Sequence, residues 1–382
     1  MAESLRIAQV APPIERVPPE GYGGTERVVH ELISELVARG HDVTTFASGD
    51  SDVPGRLVAT TPKALRPLGF GDDPSGFILD TMLQVLDRAD DFDIIHSHLE
   101  WSSVMLGRGT TVPVAATFHG RLDLPWARPL LQRAAPTWLV AISESQSADH
   151  PQVPWTCVHN GLTLTGAPFE RRRTDDLCFI GRISPEKGVT DAIEVAIRTG
   201  RPLKIAAKLG PTAGERDYNE AVFQPALKRG GSLVEFLGEL SGEERDHLVA
   251  ASYATLMPGS WPEPFGLVAI ESLACGTPVI ARQVGGLREI IRDGVDGFFG
   301  DDVMQLAFNV PRVEELDREK IRASVIDRFS AGRMADGYEA LYREMIANGG
   351  RHPEIPEADA AVADSADGRV VAMPERLAGT AS

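Results

Sequence analysis

Cysteine is scarce. The 382 residues hold three, Cys157, Cys178 and Cys275, and no two are spaced as a zinc-ligand pair. A disulfide framework is therefore not expected. No uninterrupted apolar run is long enough to form a membrane helix, and the chain does not open with a basic segment followed by an apolar one. These absences predict a cytoplasmic protein without a transmembrane segment. Positive charge is also in deficit: 38 Lys and Arg stand against 55 Asp and Glu, a formal charge of -17. That balance predicts no nucleic-acid partner, while leaving peripheral membrane contact open because net charge hides local patches. What is present fits a globular chain, 43% hydrophobic with 37 glycines for tight turns, and long enough for two or three domains.

The amino-terminal half reads as alternating strands and helices. Leu5 to Val10 is a short buried strand, and Pro12, Pro13, Pro18 and Pro19 extend the loop after it. Gly21, Gly23 and Gly24 form a turn able to approach an anionic ligand, although a purely structural turn explains them equally well. From Thr25 to Arg39, Val28, Val29, Leu32, Ile33, Leu36 and Val37 recur at helical spacing, and Val43 to Ala47 is the next strand. Ile78 to Ala89 reads as a helix. A strand over Asp93–His96 then ends in HSHLEW, and another over Val114–Thr117 ends in Phe118, His119 and Gly120. His96, His98, Glu100 and His119 are thereby predicted to converge at the carboxyl edge of a parallel sheet, where α/β folds build their sites. No metal is expected, because neither a cysteine nor a third well-placed histidine completes a ligand set. His119 either points toward substrate or simply fastens its loop. A further strand over Leu139–Ser143 leads on through Val153 to Asn160 and Gly161, and the charged run 170–176 marks a boundary before a new core.

In the second half, Leu177 to Ile180 runs directly into GRISPEKG at 181–188. Arg182 offers a planar fork and Lys187 a compact charge to neighbouring phosphates. The loop lacks the GKS or GKT ending of an ATPase phosphate loop, and a plain basic surface loop also fits. Short strands follow over Lys204–Lys208 and Val234–Phe236, with helices over Glu243–Tyr253, Lys320–Phe329 and Arg333–Ile346.

The stretch WPEPFGLVAIESLACGTPVIARQVGGLRE, 261–289, carries the most chemistry. If Phe265 to Ala274 is helical, Glu263 sits just before an amino end whose free N–H groups can hold an anion, and Glu271 projects about two turns further on. Carboxylates accept sugar or ribose hydroxyls while backbone donors meet phosphate oxygens. A proline-capped helix bearing two solvated glutamates has the same letters.

Taken in order, GGTE at 23–26, HG at 119–120, NG at 160–161, GRISPEKG at 181–188 and EPFGLVAIE at 263–271 resemble the retaining glycosyltransferases of family 4, over roughly residues 5–346. The resemblance implies an α/β protein of GT-B architecture, two Rossmann-like domains facing across a cleft. Residues 1–165 would form the acceptor-side domain and 166–329 the nucleotide-sugar domain, with a helix at 330–346 returning to the first and a flexible tail at 347–382. It also implies transfer of a hexosyl unit from a nucleotide-diphosphate sugar to an acceptor hydroxyl with retained configuration. The alternatives are a sugar-nucleotide epimerase or a noncatalytic nucleotide-sugar binding protein. By the same resemblance Arg182 and Lys187 hold the diphosphate, Glu263 the sugar hydroxyls and Glu271 the ribose. Backbone groups of Phe265, Gly266 and Leu267 contact sugar or phosphate, Gly24 approaches from the other domain, and His119 orients the sugar. His98 and Asn160 are candidates for acceptor contact or hinge, and no cofactor beyond the donor substrate is implied. NGLT at 160–163 and the proline-rich first loop depart from the family pattern.

Overall fold

A computed structural model describes residues 4–21, 23–70, 73–210 and 212–350. The acidic, alanine-rich stretch from 351 onward, most of the segment expected to be a flexible tail, lies outside the described residues.

Thirteen strands among these residues form two sheets. The first contains β1 (Arg6–Val10), β2 (Asp42–Ser48), β3 (Arg56–Thr61), β4 (Ile94–Ser97), β5 (Val114–Phe118), β6 (Trp138–Ala141) and β7 (Trp155–Cys157), ordered β3-β2-β1-β4-β5-β6-β7. The second contains β8 (Leu177–Ile183), β9 (Leu203–Leu209), β10 (Val234–Gly238), β11 (Ala254–Met257), β12 (Val279–Ala281) and β13 (Gly297–Phe299), ordered β10-β9-β8-β11-β12-β13. Every pairing in both sheets is parallel. Parallel strands are covered by helices on both faces, which is why β4 and β5 are buried at every position instead of alternating.

Each sheet reverses its strand order once, between β1 and β4 and between β8 and β11. On either side of a reversal the connections leave toward opposite faces, so a crevice opens at the carboxyl ends of those strands. The proline–glycine loop and HSHLEW follow β1 and β4, while GRISPEKG and the Trp261 loop follow β8 and β11. The fold thus puts the four chemically loaded segments at its two crevices.

Packing follows the helical spacing read in the sequence. The Gly24–Ala38 helix buries Val28, Val29, Leu32, Ile33 and Leu36, each stabilising by about 1.5–3 kcal/mol relative to exposure. The Ala331–Ala347 helix, capped by Ser330 Oγ, buries Met334, Ala335, Tyr338, Leu341, Tyr342 and Met345 in the same cluster. It is fastened to the first sheet's side by Arg39, which donates to Asp336 at 2.7 Å and Glu339 at 2.8 Å, and by His41 against Glu339 at 2.6 Å. Where this helix begins, Leu162 N–H donates to Phe329 O at 3.1 Å and Ala331 N–H to Leu162 O at 3.0 Å, so the two chain crossings between the sheets lie side by side.

Several elements differ from expectation. The helix expected from Phe265 begins at Leu267, because Pro264 and a Gly266 at φ +114° cannot extend it backward. The helix expected over 78–89 spans Ser75–Leu86. β3 and β13 were not anticipated. β3 is a half-exposed edge strand with a polar close, and β13 is only three residues beside the turn that dominates its sequence.

Candidate active site

At the second crevice the basic and acidic loops meet. Lys187 lies in a single turn, Pro185–Lys187, and its Nζ donates to Glu263 Oε2 at 2.6 Å. Trp261 Nε1 donates to the same oxygen at 3.0 Å, and Lys187 Nζ lies 5.2 Å from the centre of the Trp261 ring. Ammonium, indole and carboxylate therefore form one corner, each limiting the others' rotamers. Glycine holds it: Gly285 has φ +52°, and a Cβ there would overlap the backbone of Glu263. Gly286 N–H also donates to Glu263 O at 2.8 Å. The paired glycines thus seat the Glu263 loop.

Arg182 is placed differently. Its guanidinium donates to Glu215 at 2.8 Å and Glu186 at 3.1 Å, with no contact to Lys187 or Glu263 among the described residues. Burial pushes the Glu215 carboxyl up, but hydrogen bonds from Thr212 and the nearby Arg182 charge outweigh it and hold the group below its ordinary value. An anion would have to displace these two carboxylates to reach Arg182. Glu271, 11% exposed, is bracketed by Arg27 and by Arg245, the latter at 3.1 Å. Phe265 is buried, 5.7 Å from the ring centre of Phe329; of this residue only the backbone is left for a ligand. The Leu267–Ala274 helix has no side-chain cap at its start, leaving N–H donors of its first turn for an incoming acceptor.

The first sheet's elements reach the same place. Gly24 faces Leu267, whose Cδ1 lies 3.2 Å from where a Cβ would stand, and Arg27, one turn along that helix, makes the bond to Glu271. Arg121 stacks over Trp261 at 5.5 Å and pairs with Asp123. Ser143 Oγ donates to Pro264 O at 2.6 Å. Between these loops lies a small cavity of about 20 Å³, bordered by Arg121, Asp123, Ser145, Asp149, Glu263 and Gly285, far below the ~300–1,000 Å³ of sites enclosing a whole small molecule.

At the first crevice, His96, His98 and His119 stack in sequence, with centroids 4.2 Å and 5.2 Å apart. His96 bonds Tyr342 Oη and Thr117 Oγ1, both at 2.7 Å. His98 bonds Gln9 Oε1 and His119 Nε2, both at 3.0 Å. Burial drives His96 down to about 3, with the neighbouring His119 adding to the effect, and drives His119 to about 4. The rings are neutral across the physiological range. Glu100, at φ +51°, accepts from the N–H groups of His119 at 3.0 Å and Gly120 at 3.1 Å. Burial lifts its carboxyl to about 7 despite those bonds. Both nitrogens of His96 and of His98 are taken by protein partners, so the three imidazoles and Glu100 do not form a metal-ligand set.

Among the described residues, one group has metal-like spacing, Cys157, His159 and Glu289, with ligand atoms within 4.8 Å of one another. Its atoms are already committed. Glu289 accepts from His159 at 2.8 Å and from the N–H groups of Ser145 at 2.8 Å and Glu144 at 3.1 Å. Burial and the carboxylates of Glu144 and Glu289 push the Cys157 thiol up, away from the thiolate a metal requires. The group is a clasp between the two halves. Asn160, next along, is buried, and its Oδ1 has no partner.

Sequence reasoning missed Arg27, Arg121, Arg245, Trp261 and Gln9. Trp261 opens the 261–289 stretch and Arg27 follows GGTE directly, yet neither was given a role. Gln9 also left a signal, the one polar side chain inside the otherwise apolar core of the β1 strand.

Comparison with known proteins gives a concordant result. Residues 22–165 match the family described as Glycosyltransferase Family 4, and residues 168–325 match Glycosyl transferases group 1. Glycogen synthase of Mycobacterium tuberculosis is 29% identical over 335 residues, 73% of this chain and 79% of that protein. D-inositol 3-phosphate glycosyltransferase of Frankia alni is 33% identical over 402 residues, spanning 88% of this chain and 98% of its own. Among solved structures, Anabaena HepE in complex with UDP-glucose superposes with a TM-score of 0.67 at 18% identity, covering 90% of this chain and 100% of that one. The motifs, the two parallel sheets and these matches agree: the chain belongs to the family 4 glycosyltransferases of GT-B fold, enzymes that transfer a sugar from a nucleotide-sugar donor to an acceptor.

Proposed function

We propose that the enzyme moves a hexosyl unit with retention of anomeric configuration, and that the donor spans the second crevice. Lys187 and Arg182 take the diphosphate, Glu263 the hexose hydroxyls, Glu271 the ribose, and the N–H groups at 265–267 the remaining sugar or phosphate oxygens. Gly24 comes up to the diphosphate from the first sheet's side, and His119 orients the transferred sugar. Residues 1–165 serve the acceptor and 166–329 the donor, with 330–346 tying the two together and Asn160 at their joint.

The observation that carries this reading is the 2.6 Å contact between Lys187 and Glu263. It puts a cation and a hydroxyl-accepting carboxylate side by side at a crevice, the two kinds of group that a sugar 1-diphosphate needs on either side of the bond that breaks. As that bond opens, charge grows on the leaving diphosphate, and a fixed ammonium and guanidinium stabilise it more than the ground state. A donor phosphate oxygen then takes the acceptor's proton on the same face. Glu263 is not a covalent nucleophile in this scheme, being tied to Lys187 and Trp261.

A uridine diphosphate hexose is the first donor to try, since a fold relative was solved with UDP-glucose. Three free cysteines without a disulfide among the described residues suit a reducing compartment, and we place the enzyme in the cytoplasm. No helix among the described residues is long and apolar enough to cross a membrane. A matrix of nucleotide sugars against glucans, polyols and sugar phosphates, with released nucleotide and product configuration both measured, tests the proposal. Inverted product, or donor isomerised without transfer, rejects it.

A further inference from the structure

The histidines of the first crevice belong to a hydrogen-bonded chain with a direction. It starts in the terminal helix, where Tyr338 Oη meets Thr117 Oγ1 at 2.9 Å, and Thr117 meets His96 Nε2. His96 Nδ1 meets Tyr342 Oη, which receives Gln9 Nε2 at 3.1 Å. The other end of the Gln9 amide, Oε1, meets His98 Nε2, and His98 Nδ1 meets His119 Nε2. Gln9, His96, His98, Thr117, Tyr338 and Tyr342 are all buried.

Donor and acceptor roles propagate along such a chain. Gln9 Oε1 only accepts, so His98 Nε2 carries a hydrogen. A neutral His98 then has a bare Nδ1, which accepts from His119 Nε2–H. His119 is left with an unprotonated Nδ1. That atom has no partner among the described residues and is not one of the buried unpartnered atoms, so it opens to solvent.

Turning the Gln9 amide over reverses the bonds that link Gln9 to the three rings and forces all three into the Nδ1–H form. With Oε1 toward His98 and Nε2 toward Tyr342, all three rings take the Nε2–H form, which neutral histidine side chains intrinsically favour.

We infer that Gln9, acting through His98, holds His119 as the Nε2–H tautomer, so that a bare Nδ1 lone pair is what the transferred sugar meets. Gln9 and His98 are positioning residues. The inference rests on the proposed role of His119 toward the sugar and gives it a sign: His119 accepts a hydrogen bond from a sugar hydroxyl and turns its negative edge toward positive charge at the anomeric carbon. It does not donate to the diphosphate. The lowered proton affinity of the ring keeps it neutral, so the lone pair stays free.

The test is long-range 1H–15N NMR of the full chain with labelled histidine, which identifies the protonated ring nitrogen without needing turnover. The wild type is expected to show His119 protonated at Nε2. In Gln9→Met the fixed acceptor is gone, His98 is free to reverse, and His119 is expected to move toward Nδ1–H. kcat should fall about 3- to 10-fold, the worth of one hydrogen bond, with nucleotide-sugar Kd within threefold. His98→Phe, which removes the relay while keeping a ring, should lower kcat likewise and leave His119 a tautomer mixture.

A wild-type His119 protonated at Nδ1 overturns the inference, as does a Gln9→Met protein with unchanged His119 tautomer and kcat. If Gln9→Met does not fold, the wild-type spectrum and His98→Phe decide. A correct tautomer in a protein that transfers no sugar leaves the assignment standing and sinks the proposed role instead.

Discussion

Replacing Lys187 with methionine removes one charge and little volume, and the structure sets how stability and catalysis should separate. Lys187 and Glu263 are 19% and 18% exposed, and the bond between them is 2.6 Å. Breaking a buried pair costs about 3–5 kcal/mol and an exposed one about 0–1. This pair lies between, and Glu263 Oε2 retains the Trp261 N–H at 3.0 Å. A loss of roughly 1–2 kcal/mol follows, which a fold stable by about 5–15 kcal/mol withstands. The catalytic loss should be larger. Removing a fixed group that faces charge developing in the transition state costs about 2.7–4 kcal/mol, or roughly 10²–10³ in kcat. The assay is nucleotide release under saturating donor and acceptor, with donor Kd from calorimetry and unfolding followed in urea. A folded Lys187→Met protein whose kcat lies within threefold of wild type refutes the reasoning.

Three further outcomes follow from the same contacts. Arg27→Gln frees one side of Glu271, so a donor ribose no longer competes with that guanidinium; donor Kd should tighten several-fold by calorimetry, and a tenfold weakening contradicts the ribose assignment. Burial raises the Glu26 carboxyl from 4.5 to about 7, so the folded state holds that proton more tightly than the unfolded chain does. Its stabilising contribution is complete below about pH 4.5 and is lost as pH climbs through about 7, worth up to roughly 3 kcal/mol. Glu26→Gln should therefore gain stability relative to wild type between pH 4.5 and 7, and urea midpoints that stay parallel across that range count against it. Gly285→Ala forces a Cβ into the Glu263 backbone at a positive φ; Tm and kcat should both drop, whereas an unchanged kcat would separate the glycine pair from the site.

Much of this was legible because the chemistry and the periodicity shared the same letters. The spacing of Val28, Leu32, Ile33 and Leu36 revealed the first helix, and uninterrupted apolar runs revealed the central strands. Glu263 and Lys187 stood out because acids and bases beside Pro and Gly turns rarely serve the core. What stayed hidden depended on distance. Arg27 and Glu271 are 244 residues apart, and nothing local to either announces the pair. Arg182, read as a free phosphate fork, is held by Glu215, whose Thr212–Glu215 capping box marks a helix start but does not announce a partner 33 residues away. His96 and His98 were expected at the sheet's carboxyl edge, and His98 as an acceptor or hinge contact, but their place as links in a buried chain with the tyrosines of the terminal helix depended on residues far along the sequence. The edge strand β3 was missed because half-exposed strands lack the apolar run that marks interior ones.

The central claim is that one donor molecule bridges the basic turn at 182–187 and the acidic segment at 263–271. A crystal structure with an intact, non-hydrolysable nucleotide sugar tests it most directly. The account predicts the diphosphate within hydrogen-bond distance of both Lys187 and a swung Arg182, hexose hydroxyls on Glu263, and ribose on Glu271 in place of Arg27. A nucleotide seated at the first crevice, or one leaving the Lys187–Glu263 and Arg27–Glu271 bonds untouched, contradicts it.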